Sequence, residues 1–319
     1  MRRVAAVAAL ALVAACGQAE TAPDETADEG YPVTFENCGT QVTFDQAPER
    51  VLAIKSTSIE MMLALGQEDR IAGGAFPDGP FADAWAPSGE IEIVSERVPG
   101  QEAALELEPD LVYAGWESNL SAEGVGERDA LERLGVDTFV SPAACQSEGQ
   151  PNPLTWDHVW EEIRTAGAIF DAADRADELI ADQTRRLDGV SVDGRDLTAL
   201  WYSSGSDTPF VGAGIGAPQL IMDTVGLTNI AADIEMTWSS YSWESVIEAD
   251  PDVIVLVDSA WGSKDKKIAQ LESNPATASL TAVREGRYLV VPFPAGEAGV
   301  RTVEAVETLA EQLGRLNLS

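Results

Sequence analysis

Apolar positions keep the 3.6-residue helical period most clearly between Asp171 and Asp188. There Ala172, Ala173, Ala176, Leu179, Ile180 and Leu187 form one stripe between charged faces. Asp171 suits an N-cap, so the pattern predicts one helix of about 18 residues, a rod of roughly 27 Å that joins whatever lies on either side. The two flanks repeat one unit. Gln101-Glu-Ala-Ala-Leu-Glu-Leu-Glu-Pro-Asp-Leu-Val-Tyr-Ala-Gly stands upstream and Trp243-Glu-Ser-Val-Ile-Glu-Ala-Asp-Pro-Asp-Val-Ile-Val-Leu-Val downstream. Each reads as a short helix broken at Pro-Asp and followed by a buried strand. The pattern predicts two α/β lobes, residues 31–170 and 189–319, joined by a connecting helix over 171–188.

Within the first lobe, Val33 to Phe44 alternates as a hairpin about Asn37-Cys-Gly. Pro48 to Ile54 is an apolar strand, Lys55-Ser-Thr-Ser a polar turn, and Ile59 to Gly66 a helix. Leu111 to Trp116 is a strand ending on an aromatic, Arg128 to Gly135 a helix, Val136 to Val140 a strand and Trp156 to Phe170 a helix. In the second lobe, Thr198 to Tyr202 is a strand with Ser203 and Ser204 at its end, and Gln219 to Gly226 a helix. Asn229 to Trp243 is a loop, Val253 to Val257 and Arg287 to Pro292 are strands, and Thr302 to Leu316 is the terminal helix, with Arg301 at the crossing before it. Open α/β sheets bind ligands beyond the C-terminal ends of their strands. That rule nominates Lys55, Ser56, Thr57 and Trp116, although the hydroxyls also suit plain helix capping.

Composition adds location. The chain has 319 residues, enough for two domains. It opens Met1-Arg-Arg, followed by an uncharged run from Val4 to Ala15, which reads as a secretory signal over residues 1–15. Val13-Ala-Ala-Cys16 resembles a bacterial lipobox, with Cys16 the lipidated first residue of the mature chain. Residues 16–30 are small and acidic and read as a solvated tether. The net charge of −34 argues against nucleic acid and against anionic membrane surfaces, leaving the lipid anchor as the membrane contact. Cys38 and Cys145 both fall in the first lobe of an extracytoplasmic chain, so they read as a disulfide, with two free thiols as the alternative.

His158 is the single histidine, so three-histidine zinc or manganese sites are excluded and no metal or cofactor is expected. Gly212, Gly214 and Gly216 follow G-x-G-x-G rather than the dinucleotide spacing, and a tight turn explains them. No G-x-S-x-G motif occurs, and the reading is a binding protein rather than an enzyme.

Over nearly the whole mature chain the sequence resembles the substrate-binding proteins of ABC importers for iron-siderophores and cobalamin. The resemblance is carried by Pro48-Glu-Arg-Val-Leu with Glu60 and Leu65-Gly66, the two Pro-Asp strands and Leu134-Gly135-Val136. It continues through Val211-Gly-Ala-Gly with Gly226 and Asn229-Ile230, and Ala282-Val-Arg-Glu-Gly-Arg-Tyr. It implies two three-layer α/β lobes joined by a single long helix, a ligand cleft between them, little closure on binding, and a monomer that delivers its ligand to a permease and its ATPase. It also implies one permease-docking glutamate per lobe; matched at equivalent places in the two Pro-Asp units, these are Glu102 and Glu244.

Several strings look closer to an actinobacterial branch proposed to import a precursor of the deazaflavin coenzyme F-420: Ile54-Lys-Ser-Thr-Ser, Tyr113-Ala-Gly-Trp-Glu-Ser-Asn, Leu154-Thr-Trp-Asp-His, Gly212-Ala-Gly-Ile-Gly-Ala-Pro-Gln and Pro294-Ala-Gly-Glu-Ala-Gly-Val-Arg301. Such a ligand has a planar ring, a polyol, a phosphodiester and a carboxylate. It calls for aromatic faces (Trp116, Trp201, Tyr202, Trp238, Trp261), hydrogen-bonding hydroxyls (Ser56, Thr57, Ser203, Ser204) and cations (Lys55, Arg301). A ferric siderophore would use a similar set. Haem ranks lower, with no histidine in the cleft.

Overall fold

The computed structural model describes residues 30–146 and 148–316. The leader, Cys16 and tether residues 17–29 lie outside them. Val33–Asn37 (β1) and Thr40–Phe44 (β2) form the expected hairpin, with Cys38 and Gly39 both at positive φ in its turn. The first lobe then builds a five-stranded parallel sheet in the order β5-β4-β3-β6-β7. Its strands are β3 (Val51–Ile54), β4 (Ile71–Ala75), β5 (Ile93–Ser95), β6 (Leu111–Ala114) and β7 (Asp137–Val140). Every residue of β3 and β6 is buried, as in sheets covered on both faces. The helices α1 (Ser56–Ala64), α2 (Gln101–Leu105), α3 (Arg128–Glu132) and α4 (Trp156–Ile169) belong to this lobe.

The second lobe holds a six-stranded sheet whose core, β8 (Thr198–Ser204), β12 (Val253–Asp258) and β13 (Tyr288–Pro292), is parallel. The short β10 (Thr228–Asn229) joins β8 in parallel, while β9 (Phe210–Gly212) and β11 (Trp238–Ser240) add an antiparallel edge. Sequence patterning takes β11 for part of a loop. Helices α6 (Ala217–Val225), α7 (Trp243–Ala249), α8 (Lys264–Ser273), α9 (Thr281–Arg284) and α10 (Thr302–Arg315) complete the lobe.

The Pro-Asp repeat has a structural counterpart. In the first lobe Asp110 accepts the N–H groups of Glu49 (2.7 Å) and Arg50 (3.0 Å), fixing the start of β6 beside the start of β3. In the second, Asp252 accepts the N–H (2.9 Å) and hydroxyl (2.8 Å) of Thr198, fixing β12 beside β8. One carboxylate per lobe thus sets the register of its two central strands.

The connecting helix, α5, runs Ala173–Asp188, two residues shorter at its start than the pattern predicts. Asp171 is not its N-cap. It takes φ 53° at the end of α4, and the Ala172 N–H bonds back to the Gly167 carbonyl at 2.7 Å. That closes α4 with a Schellman turn, so the acidic residue ends one helix instead of opening the next. About 16 residues make a rod of roughly 24 Å. The rod touches both lobes: Arg175 donates to the Ala64 carbonyl (2.9 Å), buried Gln183 to the Val300 carbonyl (2.9 Å), and Arg186 pairs with Glu307 (2.6 Å). At Gly167 a Cβ would stand 2.6 Å from the Ala176 Cβ, so α4 and α5 meet where a side chain is missing.

Cys38 and Cys145 are bonded, tying the hairpin turn to the loop after β7 across a separation of 107 residues. Replacing both by serine should lower stability by about 2–5 kcal/mol in urea unfolding; an unchanged midpoint would mean that β1 and β2 hold this loop without the bond.

Candidate ligand-binding cleft

A cavity of about 890 Å³ opens where the C-terminal strand ends of the two lobes face each other. The first lobe contributes Thr57 from α1, Phe76 after β4, Trp116 and Ser118 after β6, and Ser141 and Ala143 to Gln146 after β7. The second contributes Ser203 and Ser204 at the end of β8, Phe210, Ala217 at the start of α6, Glu235 to Trp238, Trp261, Phe293 and Gly296 to Ala298.

Its back wall is a continuous aromatic cluster. Phe210, Trp238 and Phe293 stack with interplanar angles of 12° and 16° at centroid spacings of 6.2 and 6.1 Å. Phe293 meets Trp261 (4.8 Å) and Trp116 (6.1 Å) edge to face, and Phe76 meets Trp116 (5.9 Å) the same way. Each pair lies in the range where aromatic rings attract. The cluster crosses from lobe to lobe, because Phe76 and Trp116 belong to the first and the others to the second.

Of the residues nominated from sequence, Thr57, Trp116, Ser203, Ser204, Trp238 and Trp261 line this cleft. The other five do not. Lys55 is fully buried, ion-paired with Asp78 and caged by rings, its Nζ 3.8 Å from the Trp116 centroid and 4.0 Å from that of Phe76. Burial pushes its ammonium down to about 7 against the pull of Glu297. Ser56, fully buried, holds the Asp78 loop: its N–H and hydroxyl both bond to Asp78. Trp201 and Tyr202 sit within β8 because the strand runs on to Ser204 and carries the sheet edge past them. They point to opposite faces. Trp201 packs under Gly212 and Gly296, and Tyr202 bonds Gly205 and Gln270 in the other layer.

Arg301 is also withdrawn, at 5% exposure. It donates to Glu60 (3.2 Å) and the Pro80 carbonyl (3.3 Å) in the first lobe and to Glu304 (2.9 and 2.8 Å) on its own helix. The lobes meet again where the Ala260 N–H bonds the Asp78 carbonyl (3.0 Å) and where the Trp116 indole N–H bonds Glu297 (2.7 Å). Among the described residues, the charged side chains lining the cleft are therefore Glu235 and Glu297, not the two nominated cations.

Phe76, Phe210 and Phe293 escaped the sequence reading. Phe76 and Phe293 each follow the last residue of a strand, so the strand-end rule that selects Trp116 would have selected them if applied to every strand. The three glycines of 212–216 serve close packing: a Cβ at Gly214 would stand 2.0 Å from the Ala232 carbonyl oxygen and one at Gly212 2.3 Å from Pro218. His158 caps α4, its Nδ1 2.9 Å from the Thr155 hydroxyl. Among the described residues the buried Thr57 hydroxyl, which lines the cleft, has no hydrogen-bond partner, at a cost of about 1–3 kcal/mol.

A model of the periplasmic binding protein family matches residues 51–295. The chain belongs to that family. Among the relatives of this periplasmic binding protein, the ABC transporter substrate-binding lipoprotein YvrC of Bacillus subtilis is 26% identical over 317 residues, covering 96% of this chain and 94% of that one. A cobalamin-binding protein of Halobacterium salinarum is 27% identical over 278 residues, covering 82% and 68%. A crystal structure from an ABC-type Fe3+-hydroxamate transport system of Saccharomonospora viridis superposes with a TM-score of 0.77 at 28% identity, covering 89% of this chain and 99% of that one. That solved structure shares the two-lobed architecture.

Two outcomes follow from the buried charges. Arg301→Ala should cost about 3–5 kcal/mol of stability by leaving Glu60 buried without its partner; a loss under 1 kcal/mol by urea unfolding would contradict that geometry. Glu60 and Glu162 are each pushed up by burial to about 7 from an ordinary 4.5. Between those values the folded chain keeps protons that the unfolded chain has lost, so stability falls as pH rises through that window. The urea midpoint should be higher at pH 5 than at pH 7, and Glu162→Gln should flatten the trend; a midpoint rising from pH 5 to pH 7 would oppose it.

Proposed function

We propose that this periplasmic binding protein is the receptor of an ABC importer, held outside the membrane by a lipid on Cys16, where it captures a small molecule and passes it to the permease. The observation that carries the reading is the aromatic-walled cleft between two lobes. Its volume falls in the range that encloses a drug-sized ligand. The relative named as an ABC transporter substrate-binding lipoprotein supports it across nearly the full chain. Among the described residues no helix is long and apolar enough to cross a membrane.

The cargo we propose is a flat conjugated ring carrying a polyol, of which the deazaflavin precursor of coenzyme F-420 is the named case. The parallel faces of Phe210, Trp238 and Phe293 suit the ring, and Ser118, Gln146, Gln150, Ser203 and Ser204 suit the polyol. Because Lys55 and Arg301 are spent on internal ion pairs, its anionic end must rely on the positive dipole ends of α1 and α6, where Thr57 and Ala217 line the cleft. One observation favours a second cargo. Glu235 and Glu297 suit a neutral or cationic chelate, and the Saccharomonospora protein belongs to a ferric-hydroxamate system.

Titrating residues 31–319 with the deazaflavin precursor, ferric hydroxamates and cobalamin while following tryptophan emission separates these readings. Saturable quenching by the precursor is expected, and Trp238→Ala should weaken it by about 1.5–3 kcal/mol. Saturation by a ferric hydroxamate alone would reassign the cargo to iron, and a protein that binds none of the panel would remove both assignments.

Delivery has its own test. Glu102 and Glu244 are exposed first-turn residues of α2 and α7, at matching places in the two lobes. Changing both to alanine should leave ligand affinity as it was and cut uptake by cells; undiminished uptake would rule out these two as the docking pair.

A further inference from the structure

Four partners of defined geometry surround Trp116. Its indole N–H is bonded at 2.7 Å to Glu297 of the opposite lobe. The Lys55 ammonium sits 3.8 Å from its ring centroid, fully buried and ion-paired with Asp78. Phe76 and Phe293 meet it edge to face from the two lobes. One face of the indole is thus covered by a cation, its N–H edge is held by a carboxylate, and its flanks are closed by rings. Trp116 is nonetheless half-buried and lines the cleft, so the face turned from Lys55 is the one left for a ligand.

Lys55 reaches that place through an unusual backbone. It is a non-glycine residue at φ 83° where β3 gives way to α1, and Phe76 beside it stands at φ 51°. Such conformations cost energy and persist where the surroundings over-determine them. Glycine at 115 fits the same purpose: a Cβ there would stand 2.6 Å from the Lys55 Cβ and 2.5 Å from the Thr57 hydroxyl oxygen. The chain is therefore shaped to bring a lysine stem directly beneath the ring.

We propose that Lys55 and Glu297 are positioning residues that hold the Trp116 indole as a fixed stacking platform for an aromatic cargo, Lys55 behind its face and Glu297 on its edge. Neither touches the cargo's ring. The lysine head over one face and the carboxyl oxygen on the N–H edge together favour one ring orientation over the others. As a claim about cargo this rests on the importer reading above; as a claim about the ring it does not.

The protein is labelled with 5-fluorotryptophan, and the Trp116 resonance is identified by its loss in Trp116→Phe. In the parent that resonance should be narrow and unmoved by changes in solvent. Glu297→Ala should broaden or shift it to an exposed position, and Glu297→Gln, which keeps an acceptor oxygen, should restore it. Lys55→Met combined with Asp78→Asn, which removes the cation without stranding its carboxylate, should also release the ring. Thermal melts confirm that each variant is folded, and Glu297→Gln keeps the test open if Glu297→Ala is not. A Trp116 resonance identical in all folded variants would overturn the proposal. For cargo, Glu297→Ala should weaken the deazaflavin precursor about tenfold and Glu297→Gln much less. Equal affinity in both would also count against it, whereas a parent that fails to bind the precursor defeats the cargo reading and leaves the fluorine result to decide the positioning role.

Discussion

The structure depends on a buried ionic joint between the lobes. Arg301 spends its donors on Glu60 and the Pro80 carbonyl in the first lobe and on Glu304 in the second, and the preceding residue, Val300, is held by Gln183 of the connecting helix. Such a joint adds little net stability, because desolvation consumes most of the attraction, yet breaking one side leaves a buried charge exposed to no partner. Its effect is to specify geometry. The rod fixes the distance between the lobes, and the arginine fixes their angle.

The cleft inherits that rigidity. Lys55 and Asp78 form a second buried pair, within the first lobe, and the Asp78 carbonyl accepts from Ala260 of the other lobe. Around this second pair the aromatic side chains close into one cluster that spans both lobes, so moving one lobe would have to break ring contacts, the Trp116–Glu297 bond and the Arg301 joint together. A cleft held this way is pre-formed. Ligands enter such sites without a large ordering cost.

Much of this was legible in the chain. The rod, the two lobes and the repeat survive inspection because each rests on several residues whose period or spacing agrees, and the repeat has a physical cause in Asp110 and Asp252. Trp116, Ser203 and Ser204 stand at strand ends in the sequence and line the cleft, and Trp238, read there as part of a loop, lines it too. What failed needed knowledge of partners. A lysine and an arginine at cleft-facing crossings look like an anion clamp until Asp78 and Glu60, distant in sequence, arrive to neutralise them. Trp201 and Tyr202 were misplaced by a strand two residues longer than its apolar run, since the strand ends on serines that carry no apolar signal. Asp171 was misassigned because an acidic residue between two helices can close the first as well as open the second.

The claim at the centre is a rigid aromatic cleft that receives its cargo without closing. A crystal structure of the receptor with cargo bound tests it most directly. In that complex the ring should stack within the walls formed by Trp116 and Trp238, with the Arg301–Glu60 contact intact and the lobes within about 1 Å of their present relation. A cargo seated elsewhere, or lobes rotated so that Arg301 has left Glu60, would contradict it.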